Sequence, residues 1–429
     1  MFNPSWILGH AKISFTHAPD TVELTTKAGT QVPLSDLCEK ITPPCHLNPM
    51  LFSGHLQTFW TAVDNQDVPI IYKRKLFESD CQTCPGTFAV DFVVRLPSPK
   101  DHTLPERTTY YTEDEFGIIG SLDSKPMLVL LHGLSGGSHE LYLRHVLAPL
   151  ITKEGGWEAC VVNSRGCAMS KITTPFLYNA RATWDVRQMI KWLRKTFPNR
   201  PLFGIGFSLG ANILTNYVAE EGSSCELKAA VVCSNPWNLE VSSLALQRSW
   251  IGLEVYSKIM GGNMRKLFER HSDQILKIPN IDVDKIKKIK YLHEFDRYIQ
   301  GPTWGYPTEG AYYRDAASVD SLLAVRIPFF SINAEDDPIA VNEAIPYEEF
   351  KQNPYTVLCT TSLGGHLSWF ELGGQRWFAK AIVAFLMKFA TDIDIESSSS
   401  GNIDSNGVVV PPRKEPIFDP MHRRLHVPS

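Results

Sequence analysis

The spacing of apolar residues changes several times along the chain, and each change marks an element. Between residues 126 and 234, short apolar runs (PMLVLLHG, EACVVNSRG, PLFGIGFS, KAAVVCSN) alternate with stretches of helical periodicity (HELYLRHVLAPLI, WDVRQMIKWLRKTF, LGANILTNYVAEE). The short runs predict strands buried on both faces, and the longer ones predict helices between them. This alternation implies an α/β fold with a mostly parallel central sheet covered by helices on both faces. The pattern resumes with IPFFSINAE and TVLCTTS and closes on the helical GQRWFAKAIVAFLMKF.

Elsewhere the spacing differs. VPIIYKRKLF and TFAVDFVVRL alternate with period two and predict antiparallel strands between about 68 and 120. Residues 1–50 hold short strand-like pieces (KISF, TVELTT) and end in the proline-rich ITPPCHLNPM, which predicts an N-terminal extension laid on the core. Residues 237–321 have helical periodicity and many aromatic residues, and they interrupt the sheet pattern as an inserted helical lid. The sheet-bearing core would thus run over 51–236 and 322–392. The tail from 393 to 429, with SSSSGNIDSNG and VPPRKEP, has too few apolar residues to offset its ordering entropy and is expected to be disordered.

Composition narrows the function classes. The 429 residues are 43% hydrophobic and carry a net charge of -4, with no basic stripe of the kind that tracks phosphates, so nucleic acid is not an expected partner. MLVLL and AIVAFLM fall far short of the ~20 apolar residues of a membrane span. MFNPSWILGHAK lacks the basic start and apolar stretch of a secretory leader. A cytoplasmic location is expected, with peripheral attachment to lipid droplets or the endoplasmic reticulum left open. Nine cysteines are an odd number thinly spread, which predicts reduced thiols; the CQTC pair Cys81 and Cys84 has no second pair for zinc and reads as incidental. No metal and no cofactor are expected.

The chemistry begins at FGIGFSLGAN, where Gly206, Ser208 and Gly210 form G-x-S-x-G after an apolar strand and before a helix. That context is what a nucleophile elbow requires, because side chains at the two flanking positions would clash in so sharp a turn. A serine hydroxyl needs a base, and the base needs a carboxylate to orient it. Of the 13 histidines, His366, His422 and His426 follow a suitable acid, and the last two lie in the tail. His366 stands in the glycine-flanked SLGGHLSW after a strand. The acid comes from INAEDDPIA, again at a strand end; the register from Ala334 selects Asp337, with Asp336 the alternative. LHGLSGGSHE can turn the backbone N–H of Leu134 toward the same point as that of Leu209, making an oxyanion hole. His132 in that turn is expected to pack rather than move protons.

These blocks resemble the α/β-hydrolase fold of the AB hydrolase 4 family, whose NGHLQT signature is similar to LFSGHLQTFW at 51–60, with Ser53 in place of Asn. NSRGCAMSKITTP, CSNPWNL, INAEDDPI and LGGHLSW extend the resemblance over about 45–390. Within the family, HGLSGGSHE, SRGCAMSKITT and SNPWNL most resemble the yeast medium-chain fatty acid ethyl ester synthase/esterases. The resemblance implies a Ser208, Asp337, His366 triad that transfers a medium-chain acyl group from acyl-CoA, as co-substrate, to ethanol and also hydrolyses fatty acyl esters. It equally admits a purely hydrolytic monoacylglycerol lipase or carboxylesterase. A hydrolase fold kept for lipid binding without catalysis is a third reading. Trp250, Tyr256, Tyr298 and Trp304 of the lid are candidates to line an acyl pocket or to pack the lid itself.

Overall fold

Strands among the described residues run in chain order as β1 (Ile13–His17), β2 (Glu23–Thr25), β3 (Gln31–Pro33), β4 (Ile71–Glu78), β5 (Thr87–Val94), β6 (Thr108–Tyr110), β7 (Met127–Leu131), β8 (Glu158–Asn163), β9 (Leu202–Phe207), β10 (Leu227–Cys233), β11 (Phe329–Ala334) and β12 (Thr356–Thr361). They come from a computed structural model that describes residues 9–95, 101–152, 156–278 and 281–395. Ten of the strands form one sheet in the order β1-β12-β11-β10-β9-β7-β8-β5-β4-β6, and β2 pairs with β3 separately. The stretch from β8 to β12 is parallel throughout. The expected antiparallel pair is β4 with β5, and β5 joins the parallel block through an antiparallel contact with β8.

The apolar runs become central strands because both of their faces are covered. Along β7, Leu128 and Leu130 enter one core with Ala229, Val231 and Ile332, while Met127, Val129 and Leu131 enter the other with Ala230, Val232 and Phe329. Helices Leu141–Leu150 and Trp377–Asp392 close the first face; Trp184–Thr196 and Leu209–Glu221 close the second. Each fully buried Leu, Ile or Phe side chain contributes roughly 1.5–3 kcal/mol relative to exposure, so the two cores hold the strand ends rigidly enough to carry a site.

Between β10 and β11 the chain leaves the sheet and folds as helices, including Leu239–Arg248, a π-helical segment Gly252–Ser257, and Lys258–Arg270. Met264, Leu267, Phe268, Ile275, Phe295 and Ile299 of this cap share an apolar cluster with Cys167, Ile172, Leu177 and Tyr178, from the loop that follows β8. The cap is therefore seated on a core loop by burial. No helix among the described residues is long and apolar enough to cross a membrane.

The N-terminal segment lies at an edge of the main sheet: β1 pairs antiparallel with β12, from Ile13 opposite Thr361 to His17 opposite Val357. One expectation needs correction. Cys81 and Cys84 are joined in a disulfide, where reduced, incidental thiols were expected; the tight turn brings their Cα atoms to 5.3 Å, within bridging range. The other seven cysteines are free. The tail expected to be disordered lies, from residue 396 on, outside the described residues.

Candidate active site

Although β8 separates β7 from β9 in sequence, β7 and β9 are neighbours in the sheet. The chain thus reverses its winding between them, and the C-terminal ends of strands at such a switch point are where open α/β sheets place their sites. Ser208 occupies the turn from β9 into helix Leu209–Glu221 with φ 51° and ψ −119°, an unfavourable conformation for a residue with a Cβ. Such a residue costs on the order of 1–3 kcal/mol and persists where its surroundings over-determine it. Here the Ser208 N–H donates to the Cys233 carbonyl at 2.9 Å, tying the turn to the end of β10. The glycines do the rest by absence: a Cβ on Gly206 would stand 2.4 Å from the Gly210 carbonyl oxygen, and one on Gly210 would stand 2.4 Å from that of Leu131.

His366 and Asp337, both at strand ends, meet this serine. His366 Nε2 lies 2.9 Å from Ser208 Oγ, and Nδ1 lies 2.8 Å from Asp337 Oδ2. A carboxylate only accepts, so Nδ1 carries the proton and Nε2 is left to accept the serine hydroxyl. Asp337 is buried, and its Oδ1 accepts the N–H groups of Ile339 and Ala340 at 2.8 and 2.9 Å, which fixes the carboxylate plane. Asp336, the alternative acid, does not touch the ring. Its Oδ1 accepts the Gly365 N–H at 3.0 Å, and burial, opposed by that amide and reinforced by the adjacent Asp337 charge, pushes its carboxyl up to about 6. This arrangement can draw the proton from Ser208 and stabilise the resulting imidazolium.

Leu134 and Leu209, the residues expected to supply the oxyanion amides, stand in the turn after β7 and at the first position of helix Leu209–Glu221. Among the described residues neither N–H has a hydrogen-bond acceptor, and both side chains pack against the same cap cluster. The Gly133 Cα comes so near the serine that a Cβ there would be 3.3 Å from the Ser208 Cβ. The two loops therefore converge on the nucleophile's position.

The family model for the alpha/beta hydrolase fold matches residues 126–371, which spans the elbow, the acid and the histidine. The chain belongs to the α/β-hydrolase family. Among relatives of this α/β hydrolase, a monoacylglycerol lipase of Saccharomyces cerevisiae is 37% identical over 86% of this chain and 85% of its own. Medium-chain fatty acid ethyl ester synthase/esterase 2 of the same yeast is 31% identical over 80% of this chain and 85% of its own. Among solved structures, an esterase of Pyrococcus furiosus aligns over 74% of this chain and 91% of its own, with 15% identity and a TM-score of 0.44. The protein is an enzyme of the α/β-hydrolase superfamily.

Several residues of this hydrolase's site carried no role in the sequence reading. The LFSGHLQTFW segment forms helix Gly54–Trp60, capped by Ser53, and it holds the histidine loop. Thr58 Oγ1 accepts the His366 N–H at 2.9 Å while donating to the Gly54 carbonyl at 2.6 Å; buried Gln57 accepts the Phe370 N–H at 2.8 Å. Beneath the β7 turn, Arg74 and Asp91 form a fully buried bidentate pair at 2.6 and 2.7 Å. Asp91 Oδ2 also accepts from Ser138 Oγ at 2.6 Å and from Asn163 Nδ2 at 2.9 Å, joining that turn to β5 and β8. The signals were present, an Arg and an Asp on adjacent predicted strands, but their register was not.

His132 packs, as expected. It is buried, its Nδ1–H donates to the Gly133 carbonyl at 2.7 Å, and its Nε2 accepts the Ser164 N–H at 3.0 Å. Burial pushes it down to about 4, so it stays neutral. The four lid aromatics separate. Trp250 is 74% exposed, Trp304 is buried against Trp184 and Phe176, and Tyr298 packs on the cap cluster. Tyr256 alone of the four faces the site: its hydroxyl meets His55 Nδ1 at 2.9 Å, and burial with the nearby Asp337 charge pushes its phenol up to about 12.

Proposed function

We propose that this protein is a serine esterase of medium-chain acyl esters, monoacylglycerols included, working through an acyl-enzyme on Ser208. The single observation that carries this reading is the continuous hydrogen-bonded chain Ser208–His366–Asp337 at a glycine-flanked elbow. His366 takes the serine proton as Ser208 Oγ attacks the ester carbonyl, and Asp337 stabilises the imidazolium. The Leu134 and Leu209 amides receive the oxyanion. His366 then protonates the leaving alcohol, and the acyl group remains on Ser208. In the second half His366 activates water, releasing the acid and restoring the serine.

A second reading, favoured by the 31% identical ethyl ester synthase/esterase, sends the same acyl-enzyme to ethanol. There medium-chain acyl-CoA is the donor, thiolate is the first leaving group and ethyl ester is the product. The two readings share every residue above and differ in the acceptor. Purified protein incubated with mono-octanoylglycerol, and separately with octanoyl-CoA with and without ethanol, distinguishes them by product. Free octanoate from the glyceride supports the esterase; ethyl octanoate supports transfer; neither product, with Ser208→Ala indistinguishable from wild type, rejects both.

A further inference from the structure

The Leu134 amide, which with that of Leu209 would receive the oxyanion, sits in a row of three whose outer members are both engaged. The Gly133 N–H donates to the hydroxyl of Tyr142 at 2.8 Å, and the Ser135 N–H donates to the hydroxyl of Tyr178 at 2.9 Å. Leu134, between them, has no acceptor among the described residues. Both tyrosines are buried, and burial holds each phenol well above its ordinary value, so each stays a neutral hydroxyl. Each comes from a different element: Tyr142 from helix Leu141–Leu150, Tyr178 from the loop after β8.

We propose that Tyr142 and Tyr178 are positioning residues that clamp the turn on either side of Leu134, so that its N–H alone of the three is presented to the reacting oxygen. The inference rests on the Ser208 esterase reading. A turn with Ser135 at φ 55° has no helix or strand to fix it, so its amide directions depend on such anchors. Tyr178 also ties the turn to the cap: its hydroxyl donates to Met264 Sδ at 3.5 Å, and Gln300 Nε2 donates to its carbonyl at 2.6 Å. Seating of the cap on the core thus bears directly on the direction of the Leu134 amide.

Tyr142→Phe and Tyr178→Phe remove one oxygen each and keep the ring packing. Removing an oxyanion donor outright costs roughly 100- to 1000-fold in turnover, so loosening one anchor is expected to cost about 10-fold in kcat with KM for p-nitrophenyl octanoate within about twofold. The Ki of an octyl trifluoromethyl ketone, which Ser208 Oγ adds to reversibly with its proton passing to His366, should rise by the same factor. A merely structural role would not move kcat and Ki together. Wild-type kcat and Ki in the folded variants, or a loss confined to KM, overturns the clamp. Should one variant fail to fold, the other decides by the same criteria, since each anchors its own amide. Ser208→Ala run alongside separates the levels: full activity there removes the esterase reading itself, whereas an inactive Ser208→Ala with wild-type tyrosine variants removes only the clamp.

Discussion

Replacing Thr58 by valine tests how the signature helix serves the histidine. The substitution keeps the shape of the side chain but removes the hydroxyl that accepts the His366 N–H at 2.9 Å and donates to the Gly54 carbonyl. A buried amide left without an acceptor costs about 1–3 kcal/mol. Thr58 is half-buried, so water can relieve part of this and the lower end applies. About 1.4 kcal/mol, if borne by the placement of the imidazole, corresponds to roughly a tenfold loss of rate. The expected result is a fall of about tenfold in kcat for p-nitrophenyl octanoate, a matching fall in the rate of fluorophosphonate labelling, and little change in KM. Thr58→Ser, which retains the hydroxyl, should stay near wild type. Wild-type kcat in a folded Thr58→Val, or an equal loss in Thr58→Ser, refutes the reasoning.

Other consequences follow from the same geometry. Asp337→Asn removes the carboxylate that orients His366 and is expected to lower kcat by about 10³- to 10⁴-fold, while Asp336→Asn should leave kcat within a few-fold; steady-state rates of the two purified variants check this. Asp336 is held at about 6 against an ordinary 3.8, so its stabilising contribution is complete below about pH 4 and is lost as pH rises through 6. Asp336→Asn should therefore gain stability over wild type at pH 7.5 relative to pH 4, by at most about 3 kcal/mol, as read by denaturant unfolding at both values. Gly210→Ala places a Cβ 2.4 Å from the Leu131 carbonyl oxygen and 2.5 Å from that of His132, both backbone atoms that cannot yield without moving β7. A loss of several degrees in Tm with inactivation is expected, whereas Ala211→Gly, one position on, should retain activity.

The parts of this site that were legible in the sequence are those where backbone geometry dictates residue type. Gly206 and Gly210 had to lack a Cβ, Ser208 had to sit between strand and helix, and Asp337 and His366 stand at ends of strands whose apolar runs announce them. The register from Ala334 also pointed to the carboxylate that now faces the imidazole. What stayed hidden depends on contacts between distant segments built from ordinary residues. Thr58 meets His366 across 308 positions, and Tyr178 meets Ser135 across 43, with nothing local to mark either. The Arg74–Asp91 pair needed the strand register, which places the two opposite each other in β4 and β5. The N-terminal KISF was legible as strand-like, but its place at the sheet edge was not, since its half-buried residues take that place only against β12. The Cys81–Cys84 bridge escaped because spacing alone does not report oxidation.

The central claim is that Ser208 carries the acyl group. Rapid acid quenching of the protein during turnover of p-nitrophenyl octanoate, followed by intact-mass analysis and peptide mapping, tests it most directly. One octanoyl group per chain is predicted, located on the peptide that contains Ser208, absent in Ser208→Ala, and accumulating in His366→Ala less than in wild type. An octanoyl adduct that persists in Ser208→Ala, or turnover by that variant at the wild-type rate, would contradict the account.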